Sequence, residues 1–322
     1  MIYFPYVRGR RFELIGLRKA SEMNIVDNQI IPVIEPVQLN TTLLKTLEVF
    51  DKNHHPLIIV RNPQVGNFDR ELKMTGNKDL AARFNQLLRS SFLYNGVIFN
   101  ESGNALIDKV NEENKPIVTI FSGDRDDLKL YSLVEKKPKS YLYHLGPDTK
   151  WFGRRVKAHK VIFEDHFNAM RKNADYLQNE DEFFSSDYLD YAEDDGYEGF
   201  ADFSIIGGNY SESGFAPYAV AIHFVYISDE GELRVHHFVS DSNEDYSDTP
   251  GKYKEASDKL ISWIEAHKTD KFAKCFLSTR AVAAFSDLSE RGAFPGLGAI
   301  KEYSLLQHLE VIHKLLSDKP VI

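Results

Sequence analysis

Eight short, continuously apolar runs lie within residues 1–206, most of them separated by segments with helical spacing, and most end in polar or charged residues. Strands that read as apolar throughout are buried on both faces, and their alternation with helices is the pattern of repeated βα units. Together these observations predict an α/β protein, a (β/α)8 barrel of the TIM type. A doubly wound open sheet is the alternative.

The first run, Ile2 to Val7, ends at Arg8-Gly9 and leads into a helical stretch with Phe12, Ile15 and Leu17 among its apolar positions. The second, Ile30 to Ile34, ends at Glu35-Pro36. Pro32 inside it counts against an ideal central strand, because proline cannot donate to the ladder. Asn40 is a good N-cap for a helix presenting Leu43, Leu44, Leu47 and Phe50 on one face. Leu57 to Val60 ends at Arg61, and Asp79 opens a helix with Leu80, Phe84, Leu87 and Leu88 facing inward. Gly96 to Asn100 is the fourth strand, with a helix at Ala105 to Val110, and Ile117 to Phe121, ending at Ser122-Gly123-Asp124, is the fifth. Ser140 to Leu145, which contains His144, is the sixth, and the helices after the fifth and sixth are weak. Val161 to Phe163, followed by Glu164-Asp165-His166, and Phe200 to Ile206, with Asp202 inside it, complete the eight.

Past residue 206 the pattern changes. Tyr218 to Ile227, a turn at Ser228-Asp229-Glu230-Gly231, and Glu232 to Val239 read as a β-hairpin, with helices at Lys252 to His267 and Ala299 to Leu316. The organisation expected is one domain over 1–322, with a barrel core at 1–207 and a hairpin and helical extension at 208–322. The connection from Asn179 to Gly199 is far longer than joining two neighbouring strands requires. It is acidic, yet it carries Phe183, Phe184, Tyr188, Tyr191 and Tyr197 and runs on to Phe200, so it is expected to be ordered against the barrel.

Composition excludes several classes of protein. No apolar run approaches a membrane span and the first residues lack a signal-type apolar core, so a cytoplasmic protein is expected. A single cysteine, Cys275, leaves no intramolecular disulfide, and its apolar setting suggests a packed thiol. The net charge of −9 argues against indiscriminate nucleic-acid binding. That charge is unevenly divided. Residues 1–172 carry 27 basic and 20 acidic side chains, the remainder 12 and 28, and between Lys172 and Lys252 the sole basic residue is Arg234. Such asymmetry can focus a field at a cleft or face a partner. It can equally do no more than solvate a long loop.

Phosphate-loop, CxxC and HExxH signatures are missing, and the glycine turns at 207–208 and 296–298 do not sit between a strand and a helix as a dinucleotide fingerprint does. Candidate chemistry is therefore positional. In a (β/α)8 barrel the functional side chains come from the C-terminal ends of the strands, which here offer Arg8, Glu35, Arg61, Ser122, His144, Asp165 and Asp202. Guanidinium groups bind phosphate or carboxylate, while carboxylates hold a divalent ion such as Mg²⁺ or move a proton. The candidates for catalysis are Glu35, Asp165 and His223; those for binding an anionic small molecule are Arg8, Arg61 and His144. In the hairpin, alternation sets His223 and His237 inward from adjacent strands, and a shift of one residue would separate them. The bland alternatives are that Arg8–Glu35 and Arg61–Asp165 are ion pairs closing the barrel top and that the histidines are hydrogen-bonded core residues. The acids after the hairpin, from Asp241 to Asp248, lack the order of a calcium loop.

Several long phrases resemble an uncharacterised bacterial family related to the phage T4 beta protein family. They are Tyr3-Phe4-Pro5-Tyr6-Val7-Arg8-Gly9, Ile34-Glu35-Pro36, Arg171-Lys172-Asn173-Ala174-Asp175-Tyr176, Asp181-Glu182-Phe183-Phe184, Ser213 to His223, His237 to Ser242 and Pro295-Gly296-Leu297-Gly298. The resemblance spans nearly the whole chain. It implies a bacterial or phage setting, a single-domain architecture and a partner protein from a neighbouring gene in mobile or phage-defence gene sets. It carries over no catalytic residues. Two readings follow: an enzyme whose barrel mouth binds or hydrolyses a phosphate-bearing or other anionic substrate, or an interaction protein whose acidic aromatic loop binds a partner protein or imitates nucleic acid.

Overall fold

The computed structural model describes residues 1–113, 115–123, 127–135, 141–190, 196–211 and 217–317. Asp124, Ser140, Tyr191 and 213–216, singled out above, lie outside the described residues. The chain forms two compact units: Met1–Asp165 with Asp187–Phe203, and His166–Ser186 with Ser204–Ile322. The barrel unit thus ends at Phe203 rather than 207, and it omits 166–186. Among the described residues no helix is long and apolar enough to cross a membrane.

The first unit is a closed parallel barrel of eight strands, as the alternating pattern predicts and as the open-sheet alternative does not allow. In chain order the elements are β1 (Ile2–Val7), α1 (Arg11–Glu22), β2 (Val33–Ile34), α2 (Thr41–Asn53), β3 (Leu57–Val60), α3 (Phe68–Lys73), α4 (Lys78–Leu87), β4 (Leu93–Ile98), α5 (Glu101–Glu112), β5 (Ile117–Ile120), α6 (Asp127–Val134), β6 (Tyr141–Gly146), α7 (Lys150–Arg155) and β7 (Lys160–Glu164). After β8 (Asp181–Ser185), which belongs to the second unit, α8 (Asp187–Asp190) leads to β9 (Tyr197–Asp202), and β9 closes the barrel by pairing with β1 in the register Tyr3↔Phe200. Pro32 lies just outside the β2 ladder, where its carbonyl still accepts from Ile58 N at 2.9 Å; β2 is short because proline has no N–H to give. Asn40 caps α2 as expected, its side chain accepting from Leu43 N at 3.0 Å. Ser204 takes a left-handed φ of 51° and begins a 3₁₀ turn, so the last strand stops at Asp202 instead of running to Ile206.

Inside the barrel lie Phe4, Tyr6, Val33, Ile58, Val60, Val118, Ile120, Leu145, Val161 and Ala201. Every second residue of each strand points to this axis and the others point to the helices. That rule positions the candidate site.

The second unit is a three-stranded antiparallel sheet in the order β10–β11–β8, built from the hairpin β10 (Ala221–Ile227) and β11 (Leu233–Val239). The hairpin is where the alternation predicted it, turning at Gly231 with φ 89°. Helices α9 (Thr249–Ala266), α10 (Ala273–Leu277), α11 (Arg280–Glu290) and α12 (Leu297–Ser317) complete the unit. The 179–199 connection, expected to order against the barrel, divides: Asp187–Asp190 and 196–199 belong to the barrel unit, and the stretch before them does not. Asp181–Ser185 is instead a strand paired with β11, burying Phe184 while Phe183 stays 49% exposed. A strand alternates its side chains, so consecutive phenylalanines cannot share one buried face. Gln307 of α12 donates to Val225 O at 3.2 Å and to Phe276 O at 2.9 Å, covering a carbonyl on β10, a strand at one edge of the sheet.

Closure of the barrel rests on Gly199. A Cβ there would collide with the backbone carbonyl of Ile2. Gly199→Ala is therefore expected to destabilise the protein by about 1–3 kcal/mol, the usual cost of overpacking, read as a lower urea midpoint.

Candidate functional site

Arg8, Glu35, Arg61 and Asp165 all stand at C-terminal strand ends of the barrel, but alternation splits the predicted set. On β1 and β2 the inward residues are Tyr6 and Val33, so Arg8 and Glu35, two positions on, turn toward the mouth. Glu35 is fully buried and accepts from Tyr6 Oη at 2.7 Å, from Gln64 N at 2.6 Å and from the Arg8 guanidinium. Arg8 is 12% exposed and lies across aromatic faces, its Cζ 5.3 Å from the Tyr6 ring and 5.0 Å from the Phe203 ring. Phe163 completes a triad with these rings, 5.2 Å from Tyr6 and 4.8 Å from Phe203. Burial, reinforced by Glu35, pushes the Tyr6 hydroxyl pKa well above its ordinary value. Asp165 is exposed at the rim.

Arg61, His144 and Asp202 follow inward residues by one position and so point away from the axis. Arg61 pairs with Glu113 at 3.0 Å and donates to Asn95, so the expected Arg61–Asp165 pair is replaced by one on the outer side of the strands. Burial pushes the Glu113 carboxyl up, but hydrogen bonds from Arg61 and Asn95 bring it below its ordinary value. His144 is buried against Thr119 Oγ1 at 2.6 Å, and burial, helped by His159, lowers its pKa to about 4. Asp202 accepts from Tyr3 Oη at 2.7 Å.

His223 belongs to the second unit. The hairpin register pairs it directly with His237, as alternation predicted, and the two Nδ1 atoms are 2.8 Å apart. His237 Nε2 lies 3.2 Å from Glu182 Oε1 on β8. A carboxylate oxygen only accepts, so His237 donates from Nε2 and keeps a bare Nδ1; His223 then donates from Nδ1, which leaves its Nε2 with the lone pair. Tyr176 and Phe167 enclose the pair, with Tyr176 centred 4.8 Å from the His223 ring. Burial first, then the neighbouring imidazole, depresses the His223 pKa well below its usual value. On the opposite face His236 sits 3.0 Å from Asp181, which also accepts from Arg234 at 2.7 Å and Tyr226 at 2.8 Å. Burial raises the Asp181 carboxyl, and these three donors bring it below its ordinary value.

A cleft of about 600 Å³ opens beside α9 in this unit. His236, Phe238 and Trp263 form its floor, with His236 4.3 Å from Phe238 and 5.7 Å from Trp263. Glu180, Asp241, Glu255 and Asp258 line it with a single lysine, Lys259, which already donates to Asp241 at 2.7 Å and to Val239 O at 2.8 Å. Glu255 accepts from Ser242 Oγ at 2.6 Å and Ser242 N at 2.8 Å, bonds that hold its pKa below the ordinary carboxylate value.

For a divalent ion such as Mg²⁺, the described residues offer no grouped set of ligands. No three His, Cys, Asp or Glu side chains among them stand together to hold a metal, and Glu35 already spends its oxygens on Tyr6, Arg8 and Gln64. Comparisons with protein-family models, with curated proteins and with solved structures found no match.

The sequence reading missed Glu182, His236 and Trp263. Consecutive histidines at 236–237 in a strand, which must face opposite ways, could have found His236, and the consecutive acids at 181–182 could have found Glu182; no comparable local signal marks Trp263.

Two outcomes test this geometry. Removing one member of a buried ion pair strands the other, so Glu35→Leu should cost about 3–5 kcal/mol, measured by urea unfolding. Burial also holds the buried histidines below the roughly 6.5 of an exposed imidazole, with His144 lowered to about 4 and His308 to about 3. The unfolded chain then binds more protons as pH falls below about 6.5, so stability is complete above that value and declines toward pH 4. His144→Asn should flatten the part of this decline that belongs to the barrel.

Proposed function

We propose that the protein acts by binding, and that the cleft beside α9 takes a cationic segment of a partner protein. One observation carries this reading: four carboxylates from three separate pieces of chain surround an aromatic floor and outnumber the two lysines that pair with them, Lys259 on Asp241 and Lys254 on Asp258. Lysine and arginine side chains suit such a lining, since carboxylates attract them at range and ring faces hold them at contact. A partner encoded by a neighbouring gene, of the kind the family resemblance implies, is the occupant this reading calls for. The barrel then serves as scaffold.

A second reading keeps an anionic ligand at the barrel mouth. The observation that favours it is the Arg8 guanidinium, laid on Tyr6 and Phe203 and partly exposed. Against it, Glu35 neutralises that charge, while Arg61 and His144 face the helix layer.

The test uses a hexa-arginine peptide followed through tryptophan fluorescence, with Trp263→Phe identifying the signal. Binding should weaken as ionic strength rises past about 0.15 M, where exposed charges are screened over ~8 Å. Asp241→Lys with Asp258→Lys should weaken it by about tenfold or more, roughly 1.4 kcal/mol, with the melting temperature little changed. Unchanged affinity in that variant would remove the cleft from the function, whereas binding of phosphate or pyrophosphate lost in Arg8→Ala would favour the barrel mouth.

A further inference from the structure

The barrel unit has a cavity of its own, of about 370 Å³, lined by Arg61, Asn85, Leu88, Arg89, Glu113 and Lys115. Three cations meet one carboxylate there, and that carboxylate is already bound. Arg61 donates from Nη1 to Glu113 Oε2 at 3.0 Å and from Nη2 to Oε1 at 3.3 Å, and its other Nη1 hydrogen goes to Asn95. A guanidinium has five N–H donors, so two are left over. One of them, Nε–H, has no acceptor among the described residues and is not sealed from solvent. Lys115 is fixed too, its ammonium donating to the carbonyls of Leu88, Ser90 and Leu93. No carboxylate of the described residues pairs with it; burial lowers its pKa, and Glu113 and Asp51 act on it only at a distance. Leu88 and Ser90 lie at the C-terminal end of α4, where the helix dipole amounts to about half a negative charge. The lining therefore keeps more than one uncompensated positive charge. Arg89 is exposed, stands one helical turn from Asn85, and has no partner for its guanidinium among the described residues.

We propose that this cavity binds a small phosphate monoester, its dianionic phosphoryl group held between Arg61 and Arg89. The charge of the lining selects a dianion, because more than one uncompensated positive charge attracts two negative charges better than one. Guanidinium groups fit phosphoryl oxygens through paired N–H bonds. Arg61, held by Glu113 and Asn95, has little freedom left to lose on binding, and Arg89 brings a fork with no bond to give up. The volume lies at the low end of the range for small-molecule sites, about 300–1,000 Å³, which keeps the organic part of the ester short. Leu88 offers that part an apolar contact, and Asn85 an amide without a partner of its own. The outward phase of Arg61, which removes it from the mouth of the barrel, is what brings it here.

The full chain is titrated with methyl phosphate and with dimethyl phosphate, followed by calorimetry and phosphorus NMR. At about pH 8, above the second phosphate pKa of roughly 6, the monoester carries two charges and the diester one. Methyl phosphate should bind with a dissociation constant of about 1 mM or tighter, and dimethyl phosphate about tenfold more weakly. Arg89→Glu, a change at an exposed position, should weaken methyl phosphate by about tenfold or more with the melting temperature little changed. Equal affinity for the two esters, no binding of either, or binding that survives Arg89→Glu overturns the proposal. So does loss of binding in Arg8→Ala at an unchanged melting temperature, which would move the anion to the barrel mouth.

Discussion

A barrel of parallel strands closed on itself has no edge, so each strand side chain has two destinations: the axis or the helix layer. The rest of the first unit depends on that constraint. It turns Arg8 and Glu35 into the mouth, where Tyr6, Gln64 and the aromatic faces complete their bonding. One residue of phase sends Arg61, His144 and Asp202 outward, to Glu113, Thr119 and Tyr3. Residues that look equivalent as polar strand ends therefore enter two different environments. The anionic-substrate reading needed several cations at the mouth, and of those it relied on, Arg8 alone turns that way.

The second unit uses the same period of two differently. Asp181 and Glu182, neighbours in β8, face opposite sides of the sheet, and so do His236 and His237 in β11. Each acid meets an imidazole on its own side. The negative charge that suggested a solvated loop is in part interior bonding that holds β8 to the hairpin. What remains outside, from Glu180 to Asp258, gathers round the aromatic floor beside α9.

These arrangements bear on how charge is used. A carboxylate such as Glu35, with its oxygens occupied by fixed donors, stiffens its surroundings and has little capacity left for a ligand. Of the cleft acids, Glu180, Asp241 and Asp258 are exposed and Glu255 is half-buried, and exposed charge acts at long range. The uneven division of charge along the chain thus has two parts, one bonded within the second unit and one exposed at the cleft.

The strands of the barrel, the cap at Asn40, the break at Pro32 and the hairpin with its opposed histidines were legible in the sequence by itself, because each follows from the conformational preferences and spacing of nearby residues. Only the tertiary structure decided which acid Arg61 would meet, that 181–185 would become a strand beside β11, and which carboxylates would share a cleft with Trp263. Those outcomes depend on chain closure and on the direction of side chains far apart in sequence. Local pattern specifies that an arginine ends a strand; the phase of that strand against its neighbours selects its partner.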